Sequence, residues 1–343
     1  NASRGLQQRY RGGPGRERRL RLRYGAQALA PVSIQSPEIL CLGEAMVEFS
    51  APDEGAGGWL QGFGGDTSNC AVAAARQGGR VGYISAVGRD MFGDMLIEMW
   101  AREGVATDLV RRDADAPTGV YFITRGREGH SFSYLRSGSA ASRMAPADIP
   151  RAAIGAAKVL HLSGISQAIS ASAADAGFAA IEAARSAGVL VSYDTNLRLR
   201  LWPLPRARAV ILAAVAEADI VLPGLDDARQ LTGLTDPDAI ADRLLAGRAR
   251  VVALTLGREG ALVATRDRRE IIPSVAVEAV DASGAGDCFD GAFLVEYVRT
   301  ADPFAAARYA CVAAALSTRG LGAVAPIPRR AEVEAKIARS AGS

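Results

Sequence analysis

The segment Asp281-Ala-Ser-Gly-Ala-Gly-Asp287, running on into Cys288-Phe-Asp-Gly-Ala-Phe293, sets a carboxylate beside two glycines at the start of a helix-forming stretch. Glycines let a backbone turn sharply and bring its N–H groups close to an anion. A helix that begins at such a turn aims its positive dipole end at the same point. A carboxylate is an unusual structural choice where negative charge is being drawn in. As chemistry it has a clear use: Asp287 can accept the proton of an attacking hydroxyl while nearby N–H dipoles stabilise a transferring phosphoryl group. The plainer reading is an aspartate N-cap on a glycine-rich turn. This segment alone leaves both readings open.

Two further stretches have the same character. Gly64-Gly65-Asp-Thr-Ser-Asn69 is a Gly-Gly turn opening a helix, a geometry that brings backbone close to a ligand. Thr255-Leu-Gly257-Arg-Glu-Gly260 follows an apolar strand, where a glycine turn can hold nucleotide phosphates and ribose. The pair GGDTSN and DASGAGD, in this order and about 220 residues apart, closely resembles the ribokinase-like (PfkB) carbohydrate kinases, and the resemblance runs from about Ile39 to Pro328. It implies a parallel α/β core with a β lid, ATP with Mg²⁺, and a sugar or sugar acid as phosphate acceptor. Carried over residue by residue, the base is Asp287, and Ala285 and Gly286 form the anion hole, with Gly284 shaping the turn. Gly64, Gly65 and Asn69 fall at the sugar, and Thr255, Gly257 and Gly260 match the nucleotide loop.

At two positions the chain departs from the family's pattern. An Asn-x-x-Glu pattern that organises Mg²⁺ and phosphate reads Gly224-Leu-Asp-Asp227 here, leaving Asp227 for the acidic part of the role, through water. A position beside adenine, usually Asn, reads Cys311, so base recognition falls to backbone and apolar contacts.

Three more stretches bear on the acceptor. Tyr134-Leu-Arg136-Ser-Gly-Ser-Ala140, His161-Leu-Ser-Gly164-Ile165 and Asp194-Thr-Asn196-Leu-Arg198-Leu-Arg-Leu-Trp202 look like patterns of the 2-keto-3-deoxygluconate kinases within the family. That likeness implies acid-sugar contacts at Gly65, Tyr121, Tyr134, Arg136, Ile165 and Arg198. An aldonic acid carries a carboxylate, and arginine offers it a planar two-donor fork. Solvated loop arginines are the bland alternative. Fructokinases and ribokinases share much of this framework and are the competing enzymes. A sugar-sensing protein that has lost catalysis is the competing non-enzyme.

These groups need rigid elements to bring them together. Strands are expected at 39–42, 81–87, 158–163, 189–194, 219–222 and 250–256, alternating with helices at 66–77, 94–103, 171–187, 206–218 and 238–246. Helices at 285–299 and 303–317 finish the domain. Near-continuous apolar strands alternating with helices predict a parallel sheet covered on both faces. Residues 44–62 and 117–137 break the rhythm with extended runs, 118–124 and 131–136, about a Gly126/Gly129 turn. They read as antiparallel strands inserted near the sheet edge, a lid that keeps water from an activated phosphate. The expected organisation is a disordered Arg-rich tail at 1–37, a kinase domain at 38–330, and a helix end and tail at 331–343.

Composition excludes other classes. Residues 1–37 hold eight Arg, no Lys and only Glu17, so without them the formal +3 falls to −4, and a mildly acidic body argues against a nucleic-acid surface. The tail's arginines are the sole hint of nucleic acid or of a transit peptide. No apolar run approaches a membrane span. The cysteines, at 41, 70, 288 and 311, lack a CxxC and read as reduced, buried thiols of a cytoplasmic protein. With His130 and His161 the only histidines, histidine triads and metal clusters are disfavoured. No GxxxxGK[ST] occurs, and Gly320-Leu-Gly322-Ala-Val-Ala325 follows a helix where a dinucleotide fingerprint needs a strand. A homo-oligomer is left open.

Overall fold

The computed structural model describes residues 36–51, 58–126 and 129–341. The predicted tail at 1–37 lies outside these, Ser36 and Pro37 excepted, as does the turn at 127–128. In chain order the strands are β1 (Ile39–Leu42), β2 (Met46–Ser50), β3 (Leu60–Gly64), β4 (Val81–Gly88), β5 (Val105–Ala106), β6 (Val110–Asp113) and β7 (Val120–Gly126). They continue with β8 (Gly129–Leu135), β9 (Val159–Ser163), β10 (Leu190–Asp194), β11 (Ile220–Val221), β12 (Val251–Thr255), β13 (Gly260–Ala264) and β14 (Arg269–Pro273).

The main sheet runs β14-β13-β12-β11-β10-β9-β1-β4-β5, with β6 also on β4. It is parallel from β12 to β5, and antiparallel only where β13 and β14 close one edge. Both faces are covered, which is why the strands are apolar without alternation. All eight residues of β4 are buried. Along β1, Ile39 and Cys41 enter one core beneath helices Asp66–Arg76, Ala285–Thr300 and Pro303–Ser317. Leu40 and Leu42 enter the other, beneath Ala171–Ser186, Leu204–Glu217 and Pro237–Leu245.

The smaller sheet runs β3-β2-β7-β8 and corrects two expectations. Separate from the main sheet, as expected of a projecting lid, it leaves that sheet from the end of β1, which sits mid-sheet between β4 and β9, not at an edge. Its pairing is also mixed: β2 and β7 are parallel, while β2–β3 and β7–β8 are antiparallel. A parallel pair cannot be closed by a tight hairpin, and here about fifty-five residues, 65–119, intervene between β3 and β7.

Other corrections are local. The helix expected from Asp94 begins at Met91, because Asp90 is the true N-cap, its side chain accepting from the Gly93 N–H at 2.8 Å. The β13–β14 hairpin, the short strands β5 and β6, and the helix Leu225–Thr232 carrying Asp227 were not anticipated. The helix end expected at 331–343 is a full helix, Arg330–Ala341. Among the described residues all four cysteines are free and buried, and no helix is long and apolar enough to cross a membrane.

One close approach positions the chemistry. Gly291, in helix Ala285–Thr300, packs against helix Asp66–Arg76 so tightly that a Cβ there would stand 2.7 Å from the Ala73 Cβ and 2.8 Å from the Ala74 nitrogen. Gly291→Ala is therefore expected to destabilise the protein by about 1–3 kcal/mol through overpacking. It should also lower turnover by parting the two helix starts. Thermal denaturation and a rate measurement on the same sample check this, and an unchanged Tm would contradict the packing argument.

Candidate active site

Two glycine turns bring two helix starts together. Gly65 takes φ +121° and caps helix Asp66–Arg76. Gly284 takes φ +72°, a left-handed conformation, and caps helix Ala285–Thr300, with Ala323 filling the space a side chain would need. Asp287 is the third residue of that helix, so the N-cap reading of Asp287 does not hold. Across the gap, the Asn69 side-chain amide donates to Asp287 Oδ2 at 2.7 Å, joining positions 218 residues apart.

Asp287 is enclosed by like charge. Burial, foremost, and then the Asp66 carboxylate push its carboxyl up to about 7, against the opposing pull of the Asn69 hydrogen bond and the Arg198 charge. Asp194, at the end of β10, is raised well above the carboxylate range by burial and by Asp66, Asp287 and Asp227. Asp290, one turn along the helix from Asp287, is raised by burial and by Asp194, Asp287 and Asp66. A carboxyl group that titrates near neutrality matches a base required at neutral pH.

Two buried oxygens in this pocket lack a partner: Asp66 Oδ1 and Asn69 Oδ1. Buried polar atoms are almost always satisfied, so two orphan oxygens beside Asp287 are candidates for contact with a ligand group. The other Asp66 oxygen accepts from the Asn196 side-chain amide at 2.9 Å. Asn196 itself has φ +24°, its N–H held by Asp194 Oδ1 at 3.0 Å. Asp66, Asp194 and Asn196 lay inside the quoted motifs but were given no role. Their signal was present, since a strand-end aspartate and the acidic residue of a Gly-Gly turn are natural ligand positions.

On the other side of Asp287 a cleft of about 570 Å³ is lined by Thr255, Gly257, Gly260 and Cys311 together with Ala285 and Gly286. The structure thus brings the predicted nucleotide residues to the predicted anion hole. Val275, Ala314 and Ala315 give the cleft an apolar wall. Gly260, at φ +111°, lies against the Ile272 carbonyl with no room for a Cβ. The Cys311 thiol is pushed by burial up to about 12, so it stays protonated, 3.9 Å from the Ile272 carbonyl. One detail of the anion hole differs from expectation: the Ala285 N–H donates to the Ala282 carbonyl at 3.2 Å. The open donors are then the amides of Gly286 and Asp287, which as first-turn groups have no intrahelical acceptor.

The sugar-side residues divide. Tyr121 on β7 is buried, its hydroxyl donating to Glu48, and its ring stacks on that of Tyr134 with centroids 5.7 Å apart. Gly64 makes room for this tyrosine, because a Cβ there would overlap the phenol. Ile165 lies half-buried just past the end of β9. Arg198 is half-exposed, donating to the Leu197 carbonyl at 2.9 Å and standing 4.0 Å from Asp227. Arg136 departs from expectation: it forms an ion pair with the buried Glu44, so it is not a free cation waiting for a substrate carboxylate. The two-arginine clamp reduces to one. Asp227 accepts the Leu197 N–H at 2.8 Å, and burial raises its carboxyl. Among the described residues no cluster of three or more His, Cys, Asp or Glu could hold a metal by itself.

Carboxyl ¹³C NMR should place the Asp287 midpoint near 7. Asp66→Asn removes a negative neighbour and should lower that midpoint, whereas Arg198→Met removes a positive one and should raise it. A midpoint in the ordinary carboxylate range, or shifts of the opposite sign, would contradict the electrostatic account.

The profile of the pfkB family carbohydrate kinases matches residues 36–330. The chain is 34% identical over 268 residues to probable fructokinase-5 of Arabidopsis thaliana, covering 76% of this chain and 82% of that one. It is 35% identical over 260 residues to 2-dehydro-3-deoxygluconokinase of Bacillus subtilis, covering 74% and 80%. Among solved structures, an E. coli ribokinase II in complex with ATP and Mg²⁺ superposes with a TM-score of 0.82 at 26% identity, over 88% of this chain and 99% of that one.

Proposed function

The chain belongs to the pfkB family of carbohydrate kinases, and from that premise we propose that it transfers the γ-phosphate of ATP to a hydroxyl of 2-keto-3-deoxygluconate, with Asp287 as general base. The observation that carries the reading is the position of Asp287. Its carboxyl, tuned to about 7, stands at a helix start where an apolar cleft meets a pocket of unpartnered oxygens.

ATP fits the cleft beneath Thr255, Gly257 and Gly260, its base against Val275, Ala314 and Ala315 and its phosphates running toward Gly286. The sugar fits the acid pocket, where Asp66 Oδ1 and Asn69 Oδ1 can accept its hydroxyls. Asp287 then takes the proton of the attacking hydroxyl as its oxygen bonds to the γ-phosphorus, the bond from that phosphorus to the β,γ-bridging oxygen breaks and ADP leaves. The amides of Gly286 and Asp287 and the helix dipole face the charge that spreads over the equatorial oxygens. The Asn69 hydrogen bond keeps the base aimed through the transfer.

The residues present fit a magnesium ion of the usual nucleotide-borne kind, which takes one or two carboxylates, the rest of its shell being phosphate and water. Asp227 would hold it, and the repulsion among Asp66, Asp194, Asp227 and Asp287 is the field a cation relieves. When bound, the ion neutralises phosphate charge.

The acid acceptor is supported by Arg198, the half-exposed guanidinium of the Asp194–Trp202 stretch. A second reading, fructose, is favoured by one observation. Arg136 is neutralised by Glu44, so hydroxyl acceptors outnumber free cations around the pocket.

Asp287→Asn is expected to reduce turnover by about 10²–10⁴, with ATP affinity by calorimetry nearly unchanged. Retention of more than about a tenth of the rate would remove Asp287 from the base role, set against that range. A coupled ATP-consumption assay should show the keto-acid preferred over fructose and ribose. Arg198→Met should narrow that preference by roughly ten- to a hundredfold, the loss of one charge-assisted bond. Fructose turning over faster than the acid, or an equal loss on both, would favour the neutral-sugar reading.

A further inference from the structure

The chain passes between the main sheet and the small sheet four times, at 43–45, at Gly65, at 114–119 and at 136–140. All four passages meet at Glu44. Its carboxylate, 1% exposed, pairs with Arg136 and accepts from the Ser139 hydroxyl, both on the last passage. Gly119, on the third, leaves room for it, since a Cβ there would stand 3.0 Å from Glu44 Oε1. Gly65, on the second, lies so close over the Glu44 carbonyl that a Cβ would overlap it. None of the chemistry assigned above uses this carboxylate.

A buried ion pair is a poor device for stability alone, because well-packed apolar residues often do as well or better. Its particular contribution is orientation, since a charge out of water tolerates few alternative partners. Apolar contacts such as Phe49 of β2 against Phe92 of helix Met91–Glu103, centroids 6.1 Å apart, also hold the small sheet to the core, but they are non-directional. The Glu44–Arg136–Ser139 node joins the first passage to the last. The small sheet must then swing as one body, carrying Tyr121 and Tyr134 with it.

We propose that Glu44 is a positioning residue: it ties the four passages into one node and thereby fixes the distance between the tyrosines of the small sheet and Asp287. The kinetic half of this inference rests on the reading that the sugar binds beneath the small sheet; the mechanical half does not.

The test compares the full chain with Glu44→Gln and with the double variant Glu44→Gln/Arg136→Met, which removes both charges. In Glu44→Gln, amide exchange in 46–50 and 120–124 should rise by about tenfold while that in 251–255 is unchanged. The sugar KM should rise about tenfold with the ATP KM held within about twofold, a split expected of lost positioning on one substrate. The double variant, lacking a stranded charge, should recover thermal stability yet keep the fast exchange and the raised sugar KM. Unchanged exchange in both variants, or a sugar KM that recovers together with Tm, would overturn the proposal. Glu44 would then merely neutralise Arg136. If the unmodified protein phosphorylates no sugar, the proposed function fails while the exchange arm still decides the role of Glu44.

Discussion

On the proposed reading Asp287 accepts a hydroxyl proton near neutrality, and a carboxylate lifted toward that range does so better than an ordinary solvated one. The lift comes from burial and like charge, and the group must be held still despite the repulsion that lifts it. The site is built around this requirement. Asp66 supplies the repulsion, burial adds to it, and the Asn69 amide fixes the orientation. Both partners of Asp287 come from one helix start, packed against another through a glycine that leaves no space between them. The main sheet contributes the Asp194 end of its central strand β10, while one Gly-rich turn follows β3 of the small sheet and the other comes after the edge strand β14.

The small sheet answers a different need. If a phosphoryl group is transferred here, it must be shielded from water while substrates enter, a role that a sheet separate from the core could fill. A cover hung on four separate passages would by itself be loose. The structure meets this with a polar node at the crossing and an aromatic contact beyond it, Phe49 of β2 with Phe92 of helix Met91–Glu103. Polar groups set direction and apolar groups supply adhesion.

How much of this could be read from the residues follows from how local each feature is. The glycine turns at 64–65 and 284–286 were legible because a positive φ and a close backbone approach leave a local trace. The buried strands were legible because both faces of a parallel sheet demand apolar residues. The place where the small sheet departs, and its parallel β2–β7 pair, were not, because register is decided by partners far along the chain. The pairing of Glu44 with Arg136, 92 positions apart, left no trace either, and an arginine read alone looks free to bind a substrate anion. Asp90 was overlooked for a nearer reason: Asp94 sits in the first turn, where acidic residues are also favoured, and it masked the real cap.

The charges also bear on how the acceptor and the base would influence each other. Arg198 lowers the Asp287 carboxyl and stands close to Asp227, so in the free protein its charge is shared among acids. A substrate carboxylate bound to Arg198 would draw that charge outward and add its own negative field. Both effects raise the proton affinity of Asp287. Binding an acid sugar would thus make Asp287 a stronger base at the moment the hydroxyl arrives. A neutral sugar would leave Arg198 leaning on Asp227 and the base as it was. On the proposed reading a single arginine would act twice, as an anchor for the acceptor and as a regulator of the carboxylate that deprotonates it.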